Sequence, residues 1–520
     1  MQSKSNTILL IYPTHYKVTG LPVGLASLAS NLRRGGFEVL VFDTCFYKDE
    51  VKDQESTRAS ILSTKKIKNE NVYWKPKTSD LKEDIIALIN KSRPIVVGIT
   101  VLENTFRLSL EIINHIKECI NDLIVVAGGI FPTLSPDMLI NESSIDIVCI
   151  GEGEKSIVNL CNKIKNNEDL SSVEGFWVKK NGTVNKNKSL GLTDINKNPF
   201  PDFSVFDESL FYKPMQGRLL KMIFIEAARG CALKCPYCDN SKLKEYYADN
   251  TFGNYYRYMD INRIIEQIEY QVEKHSPDFI YFTSADFLGT SDRKIEQFVN
   301  KYAKIKLPFT FQTRLETITS KRIKALKDVG LFWVRTGVEH GNDAFRRKML
   351  DRKYSNSYVI ETVEVLKENN MGASMQNMMG FPFENREMIF DTINLNRKMY
   401  QIYKKLQFNI YIFTPFRSTA LYGLCKEENL LPKDDSFVND NGPMDGETPL
   451  AFPGSYKKEL KGLWRTFNLY VKLPEEYDAQ IRIAERDDEE GRKMFNYLSG
   501  VMSDCEYEIE FDNYDNVECL

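Results

Sequence analysis

The sequence predicts an α/β protein built from two successive sheets and closed by a mainly helical region. Three observations carry that prediction. Short apolar runs alternate with helix-length amphipathic segments from residue 7 to about residue 165. The same strand-then-helix rhythm starts again at Lys221 and repeats six times up to Thr414, and after residue 421 it stops. Continuous apolar strands joined by helices belong to parallel sheets covered on both faces. The first part therefore reads as an N-terminal doubly wound parallel sheet and the second as a partial (β/α)6 barrel, since a complete eight-unit barrel takes about 250 residues. The expected limits are 1–170 for the first domain, 171–215 for a hairpin and linker, 216–420 for the barrel and 421–520 for a helical region with an acidic tail.

Element by element, the first domain has strands at 7–11, 37–42, 95–100, 123–127 and 145–150. Helices fall at 22–34, where Gly35-Gly36 stops the chain, and at 81–91, 106–120 and 155–165. Residues 48–78 are polar and read as a helix or a loose excursion. Asn181-Gly182 is a hairpin turn signal inside 175–184. Residues 185–203, rich in Asn, Lys and Pro, read as the linker, and 211–220 bring the chain to the barrel. The barrel strands are 222–226, 279–283, 309–313, 333–336, 373–379 and 408–414. Its helices are 261–274, 293–304, 321–329, 358–369 and 387–400. Beyond it, 456–472 and 475–498 read as helices, with Trp464, Phe467 and Tyr470 at core spacing. The tail 503–520 holds seven acidic residues and no basic one, which reads as a solvated acidic segment.

Ligands of doubly wound sheets and barrels gather at the carboxyl ends of the strands. In the first domain those ends carry Thr14 and His15, Asp43-Thr44, Thr100-Val101, Gly128-Gly129 and Gly151-Glu152-Gly153. Glycine there lets a large flat ligand approach the backbone, but glycine also punctuates βα turns, and both readings stand at this point. In the barrel the ends carry Ser284-Ala285-Asp286, Gln312-Thr313-Arg314, Gly337-Val338-Glu339-His340-Gly341, Gly380-Phe381-Pro382-Phe383-Glu384 and Thr414-Pro415-Phe416-Arg417.

The first barrel strand runs into Arg229-Gly230-Cys231-Ala232-Leu233-Lys234-Cys235-Pro236-Tyr237-Cys238, a C-x3-C-x2-C spacing. Thiolates suit iron–sulfur clusters and zinc. Three cysteines on a four-iron cluster leave one iron open to a small molecule. A structural zinc needs a fourth ligand, and no other Cys or His lies within roughly 35 residues on either side. A zinc knuckle would have to borrow a distant ligand.

With an aromatic before its third cysteine, this stretch resembles the cluster motif of the radical S-adenosylmethionine (SAM) superfamily. The resemblance implies a [4Fe-4S] cluster on Cys231, Cys235 and Cys238 whose open iron chelates SAM, with Tyr237 against the adenine. An electron from the cluster would cleave SAM to a 5′-deoxyadenosyl radical. It further implies that Asp286 contacts the methionine amine, although the usual Gly-Gly-Glu is absent, and that Glu339 lies near the ribose or the reaction chamber. Arg314 suits the SAM carboxylate, Gln312 stands on the same strand end, and Gly380 brings backbone against adenine. Ion pairing of Glu339 with Arg335 or Arg346, and a rim ion pair for Arg314, are the plainer alternatives.

Over roughly residues 5–165, the segment Leu21-Pro22-Val23-Gly24-Leu25-Ala26, the Gly-Gly at 128–129 and the Gly-Glu-Gly-Glu at 151–154 resemble the Rossmann-like cobalamin-binding domain that precedes many radical SAM domains. Thr14, His15, Thr100, Gly128, Gly129, Gly151, Glu152 and Gly153 are then the candidate cobalamin contacts. The D-x-H-x-x-G motif of cobalt-ligating domains is not kept: Pro13-Thr14-His15-Tyr16-Lys17-Val18 retains only the histidine. His15 is either a lower cobalt ligand or a plain loop histidine.

The resemblance implies an enzyme using the cluster, SAM and cobalamin, most simply a methyltransferase. One SAM would methylate the cobalt and a second would give the radical that activates a carbon of a small molecule. Cyclisation or rearrangement with the same cofactors is the second reading, and a non-catalytic corrinoid- or cluster-binding module the third. An external one-electron donor of flavodoxin or ferredoxin type is expected as partner. Net charge of −3 argues against a general attraction to nucleic acid or membrane. No apolar stretch approaches the roughly 20 residues of a membrane helix. Ten cysteines in 520 residues, three of them clustered, fit a reducing cytoplasm.

Overall fold

The computed structural model describes residues 5–17, 20–49, 54–65, 74–250, 252–432 and 446–505. The first sheet contains β1 (Thr7–Tyr12), β2 (Glu38–Asp43), β3 (Val96–Thr100), β4 (Val125–Gly128), β5 (Ile147–Cys149), β6 (Phe176–Lys180) and β7 (Thr183–Lys186). Their spatial order is β2-β1-β3-β4-β5-β6-β7. The first five strands are parallel. Helices Val23–Arg34 and Ser156–Asn166 bury Leu25, Ala29, Leu32 and Leu160 on one face. Helices Leu81–Ser92 and Phe106–Cys119 bury Ile85, Ile89, Ile112 and Ile116 on the other. Because β1 lies between β2 and β3, the crossovers diverge there, and the crevice at the carboxyl ends of β1 and β3 is the binding position of such sheets.

The hairpin that the sequence places at the head of the linker is the edge of this sheet. β6 pairs antiparallel with β5 and with β7. Phe176 and Val178 are buried while the residues between and after them are not, so one face of the hairpin is core and it docks as strands.

The second large sheet follows β8 (Tyr212–Met215) and β9 (Arg218–Ile225). The two-residue β10 (Ala228–Arg229) and β11 (Arg257–Tyr258) form a separate antiparallel bridge. Then come β12 (Phe279–Phe282), β13 (Phe309–Thr313), β14 (Leu331–Glu339), β15 (Gly372–Met379) and β16 (Leu406–Ile412). The order is β16-β15-β14-β13-β12-β9-β8. Six strands are parallel, as the sequence predicts, and β8 adds an antiparallel edge. Helices not anticipated in this part include Asp239–Asp249 after the cysteines, Asp343–Leu350 after β14 and Ala420–Glu427 after β16.

The half-barrel is open between β8 and β16, and that seam is closed by part of the polar segment read as a helix or a loose excursion. Helix Gln54–Ser60 and the turn after it lie against β16. Arg58 Nη2 donates to Asn409 Oδ1 at 3.1 Å and Gln407 Nε2 donates to the Ser63 carbonyl. Asn468 Nδ2, on the C-terminal helix Gly454–Lys472, donates to the Ile61 carbonyl and to Ser63 Oγ, both at 3.1 Å. Gln216 Nε2 reaches Gln407 Oε1 directly across the gap at 3.2 Å. An exposed strand edge invites mispairing, and here another part of the same chain covers it.

Trp464, Phe467 and Tyr470 are core residues, as expected. The helix predicted over 475–498 is broken into Asp478–Ala484 and Glu489–Cys505. Arg465 Nη2 takes the carbonyls of Ala484 and Arg486 at 2.7 and 2.8 Å, and Asp488 Oδ1 accepts the Gly491 N–H at 2.8 Å. Both helix ends thus have their own partners, and the chain turns between them. Residues 506–520 of the acidic tail lie outside the described residues. Among the described residues no helix is long and apolar enough to cross a membrane.

Candidate active site

The cysteine loop leaves the barrel through β10 and is fastened at several points. Ser284 Oγ accepts the N–H groups of Ala227 and Ala228 at 3.0 and 2.8 Å. Gly230 has φ +84°, and a Cβ there would lie 2.6 Å from the Tyr255 carbonyl oxygen, so only glycine fits. Further on, the Cys238 N–H donates to the Cys235 carbonyl at 3.1 Å, and the Leu421 N–H donates to the Pro236 carbonyl at 3.0 Å. Cys235 is buried, and Cys231 and Cys238 are half-buried.

Burial pushes the Cys235 thiol up to about 11, with Arg352 pulling the other way. Burial also raises Cys238, against the Asn240 amide 3.8 Å from its sulfur. Iron ligation is what would displace those protons. Cys235 feels the charge of Cys238, and Cys238 that of Cys231, yet among the described residues no three ligands converge tightly enough for a single ion. Three thiols that feel one another's charge on one loop suit the thiolate ligation of an iron–sulfur cluster. The loop fits a [4Fe-4S] cluster with one iron left open.

Around this loop the barrel rim is charged and braced. Asp286 is 1% exposed; its Oδ1 accepts from Thr313 Oγ1 at 2.8 Å and its Oδ2 lies 3.3 Å from Arg314 Nε. Burial raises its carboxyl, with Thr313 and Arg314 opposing. Gln312, one strand position earlier, is exposed to the barrel interior. Glu339 is buried with φ +65°. Its partner is Arg352, with Nη2 to Oε1 at 2.9 Å, and not Arg335 or Arg346. Asp351 caps helix Asp343–Leu350 in the left-handed region, and that turn throws Arg352 back over the strand end. Arg352 also donates to Tyr237 Oη, from Nε at 3.3 Å and Nη2 at 3.1 Å. It thus ties the cysteine loop to β14. Tyr237 packs in one apolar group with Phe381 and Phe413.

A residue pair the sequence did not single out joins the next two strand ends. His340 Nδ1 accepts the Asn342 N–H at 3.0 Å, so Nε2 carries the proton and donates to Glu384 Oε1 at 2.8 Å. Glu384 Oε2 in turn accepts the N–H groups of Gly380 and Phe381, fixing the loop in which Gly380 sits at φ +86°.

The carboxyl edge of the first sheet faces the cysteine loop across a cleft of about 490 Å³. Thr100, Gly128, Gly129, Gly151, Glu152 and Gly153 all line it, with Arg229, Gly230, Asn240, Tyr247 and Thr283 on the opposite wall. Bare backbone on one wall and mixed aromatic and polar groups on the other fit a large flat macrocycle. Thr14 and His15 are not among the described lining. Thr14 Oγ1 donates to Asp43 Oδ1 at 3.3 Å, and His15 is held by Asp49 Oδ2 at 2.8 Å and the Asn104 carbonyl at 3.4 Å. The loop after β1 folds toward the 43–49 turn and carries both residues with it.

One charge network, also absent from the sequence reading, clamps the two edges together. Arg229 lies 2.7 Å from Glu154, 2.9 Å from Glu226 and 3.3 Å from Glu152. Arg257 adds a second bond to Glu152, which also accepts the Thr193 N–H at 2.6 Å. Burial pushes the Glu152 carboxyl up, but Arg229 and Arg257 overcome it and hold it below the usual range.

The comparisons with known proteins agree with this geometry. The model of the radical SAM superfamily matches residues 225–395 and that of the B12 binding domain matches residues 11–160. An uncharacterized methyltransferase of Pyrococcus horikoshii is 25% identical over 67% of this chain and 73% of its own length. An anaerobic magnesium-protoporphyrin IX monomethyl ester cyclase of Rubrivivax gelatinosus is 26% identical over 62% of this chain but only 57% of its own length. Two solved structures share the fold. The radical SAM methyltransferase TsrM of Kitasatospora setae has a TM-score of 0.60 at 17% identity, covering 82% of this chain and 76% of its own. The cobalamin-dependent SAM radical enzyme OxsB has a TM-score of 0.66 at 14% identity, covering 96% and 71%. The glycine edge and the cysteine loop face each other across one cleft, and this chain combines a B12 binding domain with a radical SAM domain, as a cobalamin-dependent radical SAM enzyme working with a [4Fe-4S] cluster, SAM and cobalamin.

Proposed function

We propose that this enzyme is a methyltransferase acting on an unactivated carbon of a small molecule. The observation that supports the reading best is the shared cleft, in which the glycine edge that would receive the corrinoid lies directly across from the cysteine loop. The names of the Pyrococcus relative and of TsrM point the same way. When bound, the cluster supplies the electron that splits SAM and the corrinoid supplies a methyl carrier.

In this reading the chain's residues bind, orient and exclude water. Cys231, Cys235 and Cys238 hold three irons and leave the fourth for the amino and carboxylate groups of SAM. Asp286 would accept a hydrogen bond from the amino group and the outer nitrogens of Arg314 would donate to the carboxylate. Tyr237 and the backbone at Gly380 flank the adenine, and Glu339, kept in place by Arg352, faces the ribose. Thr100, Gly128, Gly129, Gly151 and Gly153 lie under the corrinoid. His15, bonded to Asp49 and not among the described residues lining the cleft, is read as a loop histidine. An external flavodoxin- or ferredoxin-type donor and a cytoplasmic setting complete the proposal.

Cyclisation is the second reading, favoured by the Rubrivivax relative. Anaerobic reconstitution with iron, sulfide and hydroxocobalamin should give cluster and corrinoid absorption together, and reductive turnover should give 5′-deoxyadenosine. Product mass then decides: a gain of one methylene unit marks methyl transfer, and a loss of hydrogen without that gain marks cyclisation. A protein that binds both groups yet never cleaves SAM would defeat both readings.

A further inference from the structure

The interior of the half-barrel below the cysteine loop holds a cation that the SAM and corrinoid sites do not use. On β14 the side chains of Val334, Thr336 and Val338 are fully buried toward the helices, whereas Arg335 and Gly337 face the interior. Arg335 is level with Gln312 on β13 and with Ser374 on β15. Gln312 and Thr283 are exposed although they sit in an otherwise buried sheet, so the interior is open at this level. Arg335 stands four residues before Glu339, roughly 13 Å down the strand at about 3.3 Å per residue. Arg314, which would take the SAM carboxylate, stands two residues beyond Gln312, so Arg335 lies about 7 Å below it in register.

Its surroundings do not neutralise it. The guanidinium donates to Tyr281 Oη and lies over that ring at 5.4 Å. The groups that act on its charge are Tyr281, Tyr411 and Glu55. The one carboxylate among them, Glu55, is ion-paired to Arg58 at 3.1 Å. No ion pair to Arg335 is found among the described residues. A second unspent donor is nearby: Gln376 accepts from Tyr411 Oη at 2.9 Å through Oε1, while its Nε2 is buried with no partner. Burial pushes the Lys213 ammonium down to about 8, with Glu55 and Cys45 opposing and Arg335 and Arg58 adding to it. A half-buried cation with no ion pair among the described residues is available to an anion, and a planar guanidinium with a neighbouring amide donor matches an oxyanion.

Resting on the reading of this protein as an enzyme of small molecules, we propose that Arg335, Tyr281 and Gln376 form an oxyanion subsite on the barrel floor, so that the substrate carries a carboxylate or phosphate by which it is held with its reacting carbon toward the strand ends. The covering of the β8–β16 seam by residues 54–63 sets the far wall of that chamber and favours a compact substrate.

The test is calorimetric titration of reconstituted holoenzyme, saturated with SAM so that the SAM carboxylate site is filled, with inorganic phosphate and separately with benzoate. One of the two should bind saturably, phosphate marking a phosphorylated substrate and benzoate a carboxylic one, while neutral benzamide should not bind. R335Q should weaken the preferred anion at least tenfold and R335K should recover part of it. If R335Q melts early or loses cluster or corrinoid, Y281F takes its place, with a several-fold loss expected. The proposal is overturned if neither anion binds wild-type enzyme, or if the folded variant binds as tightly as wild type. Cluster and corrinoid spectra and SAM cleavage by the wild-type protein report separately on the parent reading.

Discussion

The two parallel sheets of this protein end on one cleft, and their rims are made in opposite ways. The first rim has its side chains stripped away: Gly128, Gly129, Gly151 and Gly153 present backbone to the cleft. The barrel rim has a charged or hydrogen-bonding side chain at each of several strand ends, already braced by a neighbour: Asp286 by Thr313 and Arg314, Glu339 by Arg352, His340 by Glu384. A wide flat ligand is received by removing side chains, because its contacts are with backbone and its affinity comes from area. A small zwitterion is received by fixed charges, because its orientation has to be set atom by atom. The bare rim has little of its own to set its distance from the other, and the Arg229 clamp supplies that distance.

The largest effect that separates the rims is loss of the cluster. C235A should reduce 5′-deoxyadenosine formation to the level seen without enzyme while corrinoid absorption remains, since Cys235 stands on one side of the cleft only. Chromatography of the reaction and a visible spectrum of the protein check both halves. Continued SAM cleavage would contradict the cluster assignment, and simultaneous loss of corrinoid would mean the rims are not independent.

Breaking the clamp comes next. R229Q leaves Glu154 and Glu226 buried or half-buried without their cation, and breaking such a pair costs about 3–5 kcal/mol. Thermal denaturation should show a clearly lowered melting temperature. A variant melting with the wild type would show that Arg257 alone holds Glu152 and the rims together.

A side chain on the bare rim should act more locally. At Gly128 an added Cβ would meet only Cys149 Cβ at 3.5 Å, an ordinary contact, so the backbone accepts a residue there. G128L should fill the cleft and weaken cobalamin about 10- to 100-fold, or roughly 1.4–2.7 kcal/mol, read by equilibrium binding. Unchanged affinity would place the corrinoid elsewhere.

What the sequence reveals of this arrangement follows from how local each signal is. The sheets are legible because strands such as 7–11 and 95–100 are continuous apolar runs separated by helices of ordinary length. The cysteine loop is legible because its ligands lie within eight residues, and the bare rim because its glycines sit immediately after strands. The clamp is not legible, since Arg229 and Glu154 are 75 residues apart and either alone is an ordinary charged residue. Arg352 depends on a left-handed helix cap that turns it back, which no spacing rule foretells. The seam cover fails for the same reason at greater range: residues 61 and 63 meet partners 407 and 344 residues away, so a polar stretch without periodicity gives no sign of docking. His15, which the sequence leaves as either a lower cobalt ligand or a plain loop histidine, is bonded to Asp49 in the loop after β1.

A second latch between the domains gives the smallest and most finely graded prediction. Asp202, in the linker, is bonded to Arg33 on the first domain's helix Val23–Arg34 and, at 2.9 Å, to Lys274 on the barrel helix Ile261–His275. Its Oδ1 also accepts from Ser204 Oγ at 2.6 Å. Burial would raise this carboxyl, but Ser204, Lys274 and Arg33 together hold it down at about 2. A folded-state value below the unfolded value of about 3.9 contributes stability at all pH values above about 4, and that contribution fades as the pH falls toward about 2. D202N removes the charge and should therefore cost about 2 kcal/mol near neutral pH, seen as a lower urea midpoint. On acidification the wild-type midpoint should approach that of the variant, the gap closing between about pH 4 and pH 2. A gap that stays constant over that range would mean that Arg33 and Lys274 gain nothing from the charge of Asp202.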